Sequence, residues 1–467
     1  MADMVISGRL TLPHETFAMP KKRFGPRPVT MGATAARVAY LALVNHMGES
    51  LGPKSRDGDS WEIHKSFALS GEGEYVVKFD IASFYEYVDH EILRRQVLAQ
   101  TLAPEGVQSL SNILASVVGG ARGLPQLSSA SDHLADVYIG VLERQLKRDG
   151  YLLSRYADDF TIRCADWETA NTAIERSAEY ARTLGLVLSS EKTTINKHST
   201  LTAADRAEKE FFNRYFEAAR IELTQLFSWG DYGDVEVVEG ASDEESTPDQ
   251  ESTIRAALWK LVNDWSAEQK RDDPEDLFQI EGHFRAYLGG ALYWLRNYDE
   301  SIPDKTLQDI VFRHPILLSS VCGYIAEHRP MWVFFANDEW ESISLLCAMG
   351  RQSPWAKLWL LNSIASIQNV DSEKYEPVMA WVEEQLNDRH EIVRAEAAWA
   401  AACHGRLTEV PLLRLYMAAS PISQAGISAA MGRQGTVGKS TVNSIIGDGP
   451  TIKKAHEWGA EKSTSQA

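Results

Sequence analysis

Tyr156-Ala157-Asp158-Asp159 places two adjacent carboxylates between the short apolar runs Tyr151-Leu152-Leu153 and Phe160-Thr161-Ile162. The pattern predicts a strand, a tight turn and a returning strand, with the acids at the tip. Neighbouring carboxylates repel unless a cation sits on them, and hard divalent ions take oxygen ligands. Acidic hairpin tips are also common as plain solvated turns, so the turn alone does not select metal binding. A third acid shifts the balance. Asp80 ends the β-rich run Tyr75-Val76-Val77-Lys78-Phe79, which Gly71 and Gly73 bound upstream, and the chain after it becomes helical through Leu93, Arg94 and Val97. Carboxylates from two separate strands can clamp two metal ions, one activating an attacking hydroxyl and one stabilising a leaving pyrophosphate. In this reading Asp80 and Asp158 form the clamp and Asp159 shapes it. The alternative is a solvated strand end.

The elements that must position these acids occupy less than half of a chain of 467 residues, a length that fits two or three domains. The formal net charge is −18, awkward for a protein that handles nucleic acid. Its distribution is uneven. Residues 1–233 carry 26 Lys and Arg against 30 Asp and Glu, a net of −4, so the remainder holds −14. The first fifty residues have six basic and three acidic side chains, a net of +3. Such a surface suits selective engagement of a particular RNA or single-stranded product, with the acidic half turned towards protein. Residues 231–250 are acidic and rich in small side chains, which reads as a linker or exposed loop. Just before it, residues 203–227 have helical periodicity around Phe211, Phe212, Tyr215 and Phe216.

From about residue 252 helical patterns repeat, with short Pro-, Gly- and Asp-rich connectors. An array of stacked helices and a compact bundle both fit them. Most of the tryptophans there are expected in the core, since large aromatics dominate helix packing. Four scattered cysteines, Cys164, Cys322, Cys347 and Cys403, lack metal-ligand spacing and suggest reduced thiols. There is no apolar run of membrane-spanning length and no signal-peptide pattern, so a cytoplasmic location with no membrane partner is expected. Gly435-Thr436-Val437-Gly438-Lys439-Ser440 hints at a phosphate loop, but Arg433 stands where the first glycine is required and no strand pattern precedes it. A helix stop followed by a Ser/Thr cap is expected instead.

The acids belong to a larger ordered pattern. The segment Asp80-Ile81-Ala82-Ser83-Phe84-Tyr85-Glu86-Tyr87-Val88-Asp89-His90 resembles the first palm motif of bacterial reverse transcriptases. Gly123-Leu124-Pro125-Gln126, with Ser131 and Leu134-Ala135, resembles the second, and Tyr156-Ala157-Asp158-Asp159 the third. Leu184 to Leu188 with Glu191-Lys192-Thr193 is similar to the fourth, and Pro20-Lys21-Lys22-Arg23-Phe24-Gly25-Pro26-Arg27-Pro28, then Arg37, to the fingers motif. One departure stands out: Leu127 follows the motif glutamine, where the family usually has glycine, and its side chain is expected to crowd the nascent base pair or the template.

The resemblance implies an α+β right-hand polymerase followed by an all-α domain. The expected division is fingers 1–75, palm 76–200, a thumb-like helical segment 201–233, an acidic linker or loop 234–251 and a helical domain 252–467. It also implies an RNA-directed DNA polymerase that transfers nucleotides with two Mg2+ ions. Asp80, Asp158 and Asp159 would be catalytic and metal-binding, with the Ile81 carbonyl as a further ligand. Tyr85 falls at the family's steric gate, under the sugar, where it rejects a 2′-hydroxyl; a packed aromatic is the bland alternative. Gln126 would lie near the incoming nucleotide and template, and Lys21, Lys22 and Arg27 would meet its triphosphate or an RNA backbone. Lys192 matches a position proposed to protonate pyrophosphate, although its local sequence also reads as a solvated lysine.

Asn387 to Trp399 resembles a HEAT-type repeat. A compact polymerase core with helical repeats behind it is similar to bacterial abortive-infection and defence-associated reverse transcriptases. That group implies deoxynucleoside triphosphates as substrates, a noncoding RNA template or untemplated synthesis, a DNA product, and a homo-oligomer or partner protein bound through the helical domain. Retron-type or domesticated enzymes, and a catalytically silent scaffold, are the alternatives.

Overall fold

The computed structural model describes residues 13–21, 25–56, 60–71, 73–230, 250–268, 284, 287–298, 300–328, 338–350, 352–368 and 370–464, with backbone alone for 220–230 and 463–464. Lys22 and residues 234–249 of the expected linker lie outside the described residues. The chain opens with an antiparallel hairpin, β1 (His14–Pro20) and β2 (Pro26–Gly32). Helices α1 (Thr34–Met47) and α2 (Ser60–Leu69) follow, then β3 (Tyr75–Phe79) and the short α3 (Phe84–Tyr87). Next come α4 (His90–Thr101), α5 (Pro104–Val118) and the long α6 (Ser129–Arg148). The hairpin β4 (Leu152–Tyr156) and β5 (Asp159–Cys164), helix α7 (Trp167–Thr183) and strand β6 (Thr194–Lys197) complete this half.

Four strands form one antiparallel sheet in the order β4-β5-β3-β6. The predicted strand–turn–strand around Asp158 is present. Phe79 sits opposite Phe160, and their rings stack with centroids 4.8 Å apart. This register brings the residue after Phe79, which is Asp80, alongside the turn that precedes Phe160. Apolar residues of the sheet, including Val77, Phe79, Phe160 and Ile162, share one core with Leu93, Ile113, Leu134, Tyr138 and Leu142 from the helices behind it. Helix α6 is buried along most of its length, which fixes it as the support beneath the turn. Two side-chain caps define neighbouring helix starts: Asp89 accepts from the Glu91 and Ile92 amides, and Asp166 from the Thr169 amide.

Helix α8 (His198–Gly230) takes up most of residues 201–233, and its aromatic residues join the second half of the chain. Phe211 is buried in the core of the second half, with Phe212 and Tyr215 packed against it. Phe211 meets Phe284 edge-on at 5.4 Å, and Phe212 stacks on Tyr287 at 5.1 Å. Helix α9 (Gln250–Glu268) lies along α8. Beyond it run α10 (Asp304–Arg313), α11 (Leu318–Glu327), α12 (Glu339–Cys347), α13 (Pro354–Ser366) and α14 (Tyr375–Gln385). The series ends with α15 (Glu391–Cys403), α16 (Glu409–Ala418), α17 (Gln424–Gln434), α18 (Lys439–Ile446) and α19 (Pro450–Thr464).

These helices form two layers. Helices α11, α13, α15, α17 and α19 pack in succession, each on the one two places along, while α10, α12 and α14 do the same beside them. The stacking is that of an α-helical array rather than a compact bundle. Small residues permit it: α15 buries Ala397, Ala398, Ala400 and Ala401. Where α17 crosses α19, a Cβ on Gly432 would lie 2.1 Å from the His456 carbonyl oxygen, so no side chain fits. The phosphate-loop look-alike is a helix junction: α17 stops at left-handed Gly435, and Gly438, rather than a Ser or Thr, is the N-cap of α18. Among the described residues no helix is long and apolar enough to cross a membrane.

The first hairpin joins the two halves. Phe17, Met19 and Val29 form a small core with Ile316, Trp355, Leu358 and Ile392 of the helical half. Glu15 completes the joint. Its carboxylate accepts from His390 Nδ1 at 2.8 Å and from the backbone amides of Glu391 and Ile392 at 3.1 and 3.2 Å. A strand residue thus caps the start of α15, where unpaired amides and the helix dipole both favour an anion. Glu15→Ala is expected to cost about 1–2 kcal/mol, read as a lower midpoint in urea, with faster amide exchange in residues 14–32. Unchanged exchange in that hairpin would show that the cap does not hold the joint.

Candidate active site

Asp80, Asp158, Asp159 and Lys192 meet at one end of the sheet. Asp80 is nearly buried, and Lys192 Nζ lies 2.5 Å from its Oδ2. The backbone after Asp80 is fixed by the segment that precedes Lys192. The Ala82 amide donates to the Val187 carbonyl at 2.9 Å, and the Ser189 amide to the Asp80 carbonyl at 2.8 Å. Ile81 bridges Leu188, and its side chain is buried. The first and fourth palm-like motifs therefore pair directly, which carries Lys192 to Asp80.

Burial, the Asp80 and Asp159 charges and a hydrogen bond with Asp80 push the Asp158 carboxyl up to about 7. Asp159 is raised as well, by burial and then by Asp80, against the opposing pull of Lys192, Arg56 and Lys78. Burial works against the charge on Lys192, yet the hydrogen bond to Asp80 and the carboxylates around it leave its pKa raised. The site thus concentrates more negative charge than its own lysine offsets. Among the described residues no three Asp, Glu, His or Cys side chains have converged into a metal-ready cluster. What is present is an oxygen-only donor set in which two carboxyls share a hydrogen bond, and this chemistry fits a hard divalent cation.

The turn bearing Asp158 is itself constrained. Ala157 has φ +54°, in the left-handed region that costs a side chain about 1 kcal/mol. A buried network holds it there. Arg155 Nη1 donates to Asp136 Oδ1 at 2.6 Å and to the Ala157 carbonyl at 2.8 Å, while its Nε donates to Glu143 at 2.7 Å. From the opposite side, Ser55 Oγ donates to Asp136 at 2.6 Å and accepts from the Ala157 amide at 3.0 Å. Both backbone polar groups of Ala157 are therefore occupied. Burial disfavours the Arg155 charge, but Asp136 and Glu143 outweigh it and raise its pKa.

Next to Ser55, Arg56 pairs with Asp132 Oδ1 at 3.2 Å, and the Tyr85 hydroxyl donates to the same oxygen at 2.6 Å. Gly123 begins the segment that carries Gln126. Its φ of +98° is left-handed, its amide donates to Val88 and the Leu124 amide donates to Tyr85. Leu127 also takes a left-handed backbone, φ +62°, and its side chain is exposed. The expected crowding by its side chain is thus only half of the matter: glycine suits this position because of the backbone.

Two of the expected residues are not brought to the carboxylates. Lys21 is exposed and Arg27 half-buried, at the end of the first hairpin where β1 gives way to β2, and Arg27 lies opposite Met19 on the face that packs on the helical half. Among the described residues, no hydrogen bond or ion pair joins either to Asp80, Asp158 or Asp159. The residues that sequence reading missed are Ser55, Arg56, Asp132, Asp136 and Arg155. Two signals were available: a lone arginine in the strand before the acidic turn, and two aspartates one helical turn apart in the more apolar half of a helix.

Residues 19–208, less than half of the chain, match the family described as reverse transcriptase (RNA-dependent DNA polymerase), so this segment is a nucleotidyltransferase domain of that type. No curated protein matches the sequence. Among solved structures the chain is similar to telomerase from Candida albicans, solved in complex with a TWJ fragment of telomeric RNA, at 11% identity and a TM-score of 0.30. That alignment covers 81% of this chain and 65% of the telomerase chain.

Replacing Arg155 by Met is expected to destabilise the fold by about 3 kcal/mol, because Asp136 would be left buried without its cation, with Ser55 as its remaining partner, and Glu143 with Lys147; urea unfolding measures this, and a loss below about 1 kcal/mol would show that the pair is dispensable. A second outcome concerns pH. His64, bonded to Ser154 Oγ at 3.0 Å, is pushed down to about 4 by burial and by Lys78 and Arg155. A depressed histidine stabilises the fold above its unfolded pKa of about 6.5 and loses that contribution as pH falls towards 4. The unfolding free energy of wild type relative to His64→Gln should therefore fall by about 2 kcal/mol across that window.

Proposed function

We propose that this chain is an RNA-directed DNA polymerase acting in bacterial antiviral (anti-phage) defence, making DNA on a noncoding RNA template or without one. The observation that carries the reading is the meeting of Asp80, Asp158, Asp159 and Lys192 at one sheet end, inside the segment that matches reverse transcriptases. The defence assignment draws its support from the helical array behind that segment. The working division is fingers 1–75, palm 76–200, thumb-like 201–233 and helical repeats from 252.

Asp80 and Asp158, with the Ile81 carbonyl, would hold magnesium ions, which when bound activate the attacking hydroxyl and neutralise the leaving pyrophosphate. Asp159 shapes the charge around them. Lys192, kept at the site by Asp80, holds a proton on Nζ that the leaving pyrophosphate can take. Tyr85 lies under the sugar and selects deoxynucleotides, and Gln126 faces the nascent pair. Lys21, Lys22 and Arg27 would meet the RNA backbone rather than the triphosphate, given where the hairpin places Lys21 and Arg27. The helical half would bind a second copy of the chain or a partner protein.

Asp158→Ala with Asp159→Ala is expected to reduce deoxynucleotide incorporation by at least about a thousandfold, roughly 4 kcal/mol in the barrier, and chelation by EDTA should do the same to wild type. The readouts are incorporation by the purified full chain and sequencing of nucleic acid copurified from cells carrying its native flanking DNA. DNA bound by wild type alone supports the polymerase, and a branched RNA–DNA product would redirect it to a retron-type element. Undiminished phage protection by the double variant would sink the proposal.

A further inference from the structure

We infer that Asp132 is a positioning residue that sets sugar selectivity: it fixes the Tyr85 ring through its hydroxyl, and the Arg56 guanidinium through the same oxygen. This rests on the reading of Tyr85 as the sugar gate. The sequence places Asp132 in the first turn of α6, four residues before Asp136. The two aspartates face adjacent residues of one loop, Asp136 taking Ser55 and Asp132 taking Arg56. One end of this pair secures the turn that carries Asp158, and the other secures the ring of Tyr85.

The ring is held on several sides. Its hydroxyl donates to Asp132 Oδ1 at 2.6 Å, Arg56 Cζ lies 6.0 Å from its centroid, and Phe84 meets it edge-on at 5.5 Å. The Tyr85 carbonyl accepts from the Leu124 amide at 2.7 Å, which ties its backbone to the second palm-like motif. An aromatic that excludes a 2′-hydroxyl must resist displacement by one oxygen atom. A ring anchored by packing alone can tilt; one whose far end is tethered to a carboxylate cannot tilt without breaking a charge-assisted hydrogen bond. A phenylalanine would fill the same space with no such tether, so the hydroxyl has a function here beyond bulk.

The test compares kcat/KM for dATP and for ATP, using the full chain with Mg2+ on an oligo(rU) template carrying a DNA primer. The ratio of the two is the readout, because a loss of folded protein scales both substrates together. Asp132→Ala and Tyr85→Phe should each lower the deoxy-to-ribo ratio by about tenfold, equivalent to 1.4 kcal/mol of discrimination. The double variant should show no further loss, and Asp132→Asn, which keeps an acceptor oxygen, should restore part of the ratio. Tyr85→Ala separates the failures. If it leaves the ratio unchanged, the gate reading falls and this inference with it. If it collapses the ratio while Asp132→Ala and Tyr85→Phe do not, the inference alone is overturned. Absence of incorporation of either nucleotide by wild type overturns both.

Discussion

Three carboxylates crowded at the end of one sheet set the terms for everything around them. Asp80 is buried and Asp158 half-buried next to it, with Asp159 beside them. Like charges in such a place are tolerated only if protons or cations are supplied, and the fold itself supplies one lysine, Lys192. The stacked Phe79 and Phe160 keep the two strands in the register that forces the acids together. The pairing of Ile81 with Leu188 then delivers Lys192 to the cluster. The repulsion left over is of the kind that an oxygen-ligated divalent cation would relieve.

Helix α6 converts that local demand into a rigid frame. Its apolar residues anchor it in the core, so Asp132 and Asp136 are held at defined heights beneath the loop of Ser55 and Arg56. The buried Arg155–Asp136 pair is poor evidence of stability by itself, since burying charges costs about as much as their attraction returns. Its contribution is to direction. Arg155 and Ser55 occupy the carbonyl and the amide of Ala157, which leaves the left-handed turn one arrangement rather than several.

Much of this was legible in the sequence, because catalytic acids in polymerases lie on short, locally recognisable segments. Asp80, Asp158 and Asp159 could be read from strand and turn patterns, and Lys192 from its place in an ordered series. The helical half was legible from periodicity, which left a stacked array and a compact bundle both open. What escaped was long-range and polar. Nothing local connects Glu15 with His390, whose bond spans 375 positions. Arg155 sits in a five-residue strand where one charged side chain reads as the solvent face. Leu127 was legible as a departure, but its side chain drew attention away from the backbone conformation that makes glycine the usual choice. Lys21 and Arg27 were read from charge and from a fingers-like motif, and neither says which way a hairpin will dock.

The docking of that hairpin makes the protein a closed circuit. From β1 the chain runs through the sheet, along α8 and out through the layered helices to α15, where Glu15 returns the path to its start. Between β1 and α15 the path is closed by covalent chain on one side and by a cap and a small apolar core on the other. Any swing of the helical array relative to the sheet must carry the β1–β2 hairpin with it or undo the joint at Glu15. The hairpin is therefore mechanically a part of both halves, and a load placed on the distant helices reaches it without passing through the carboxylates of the sheet end.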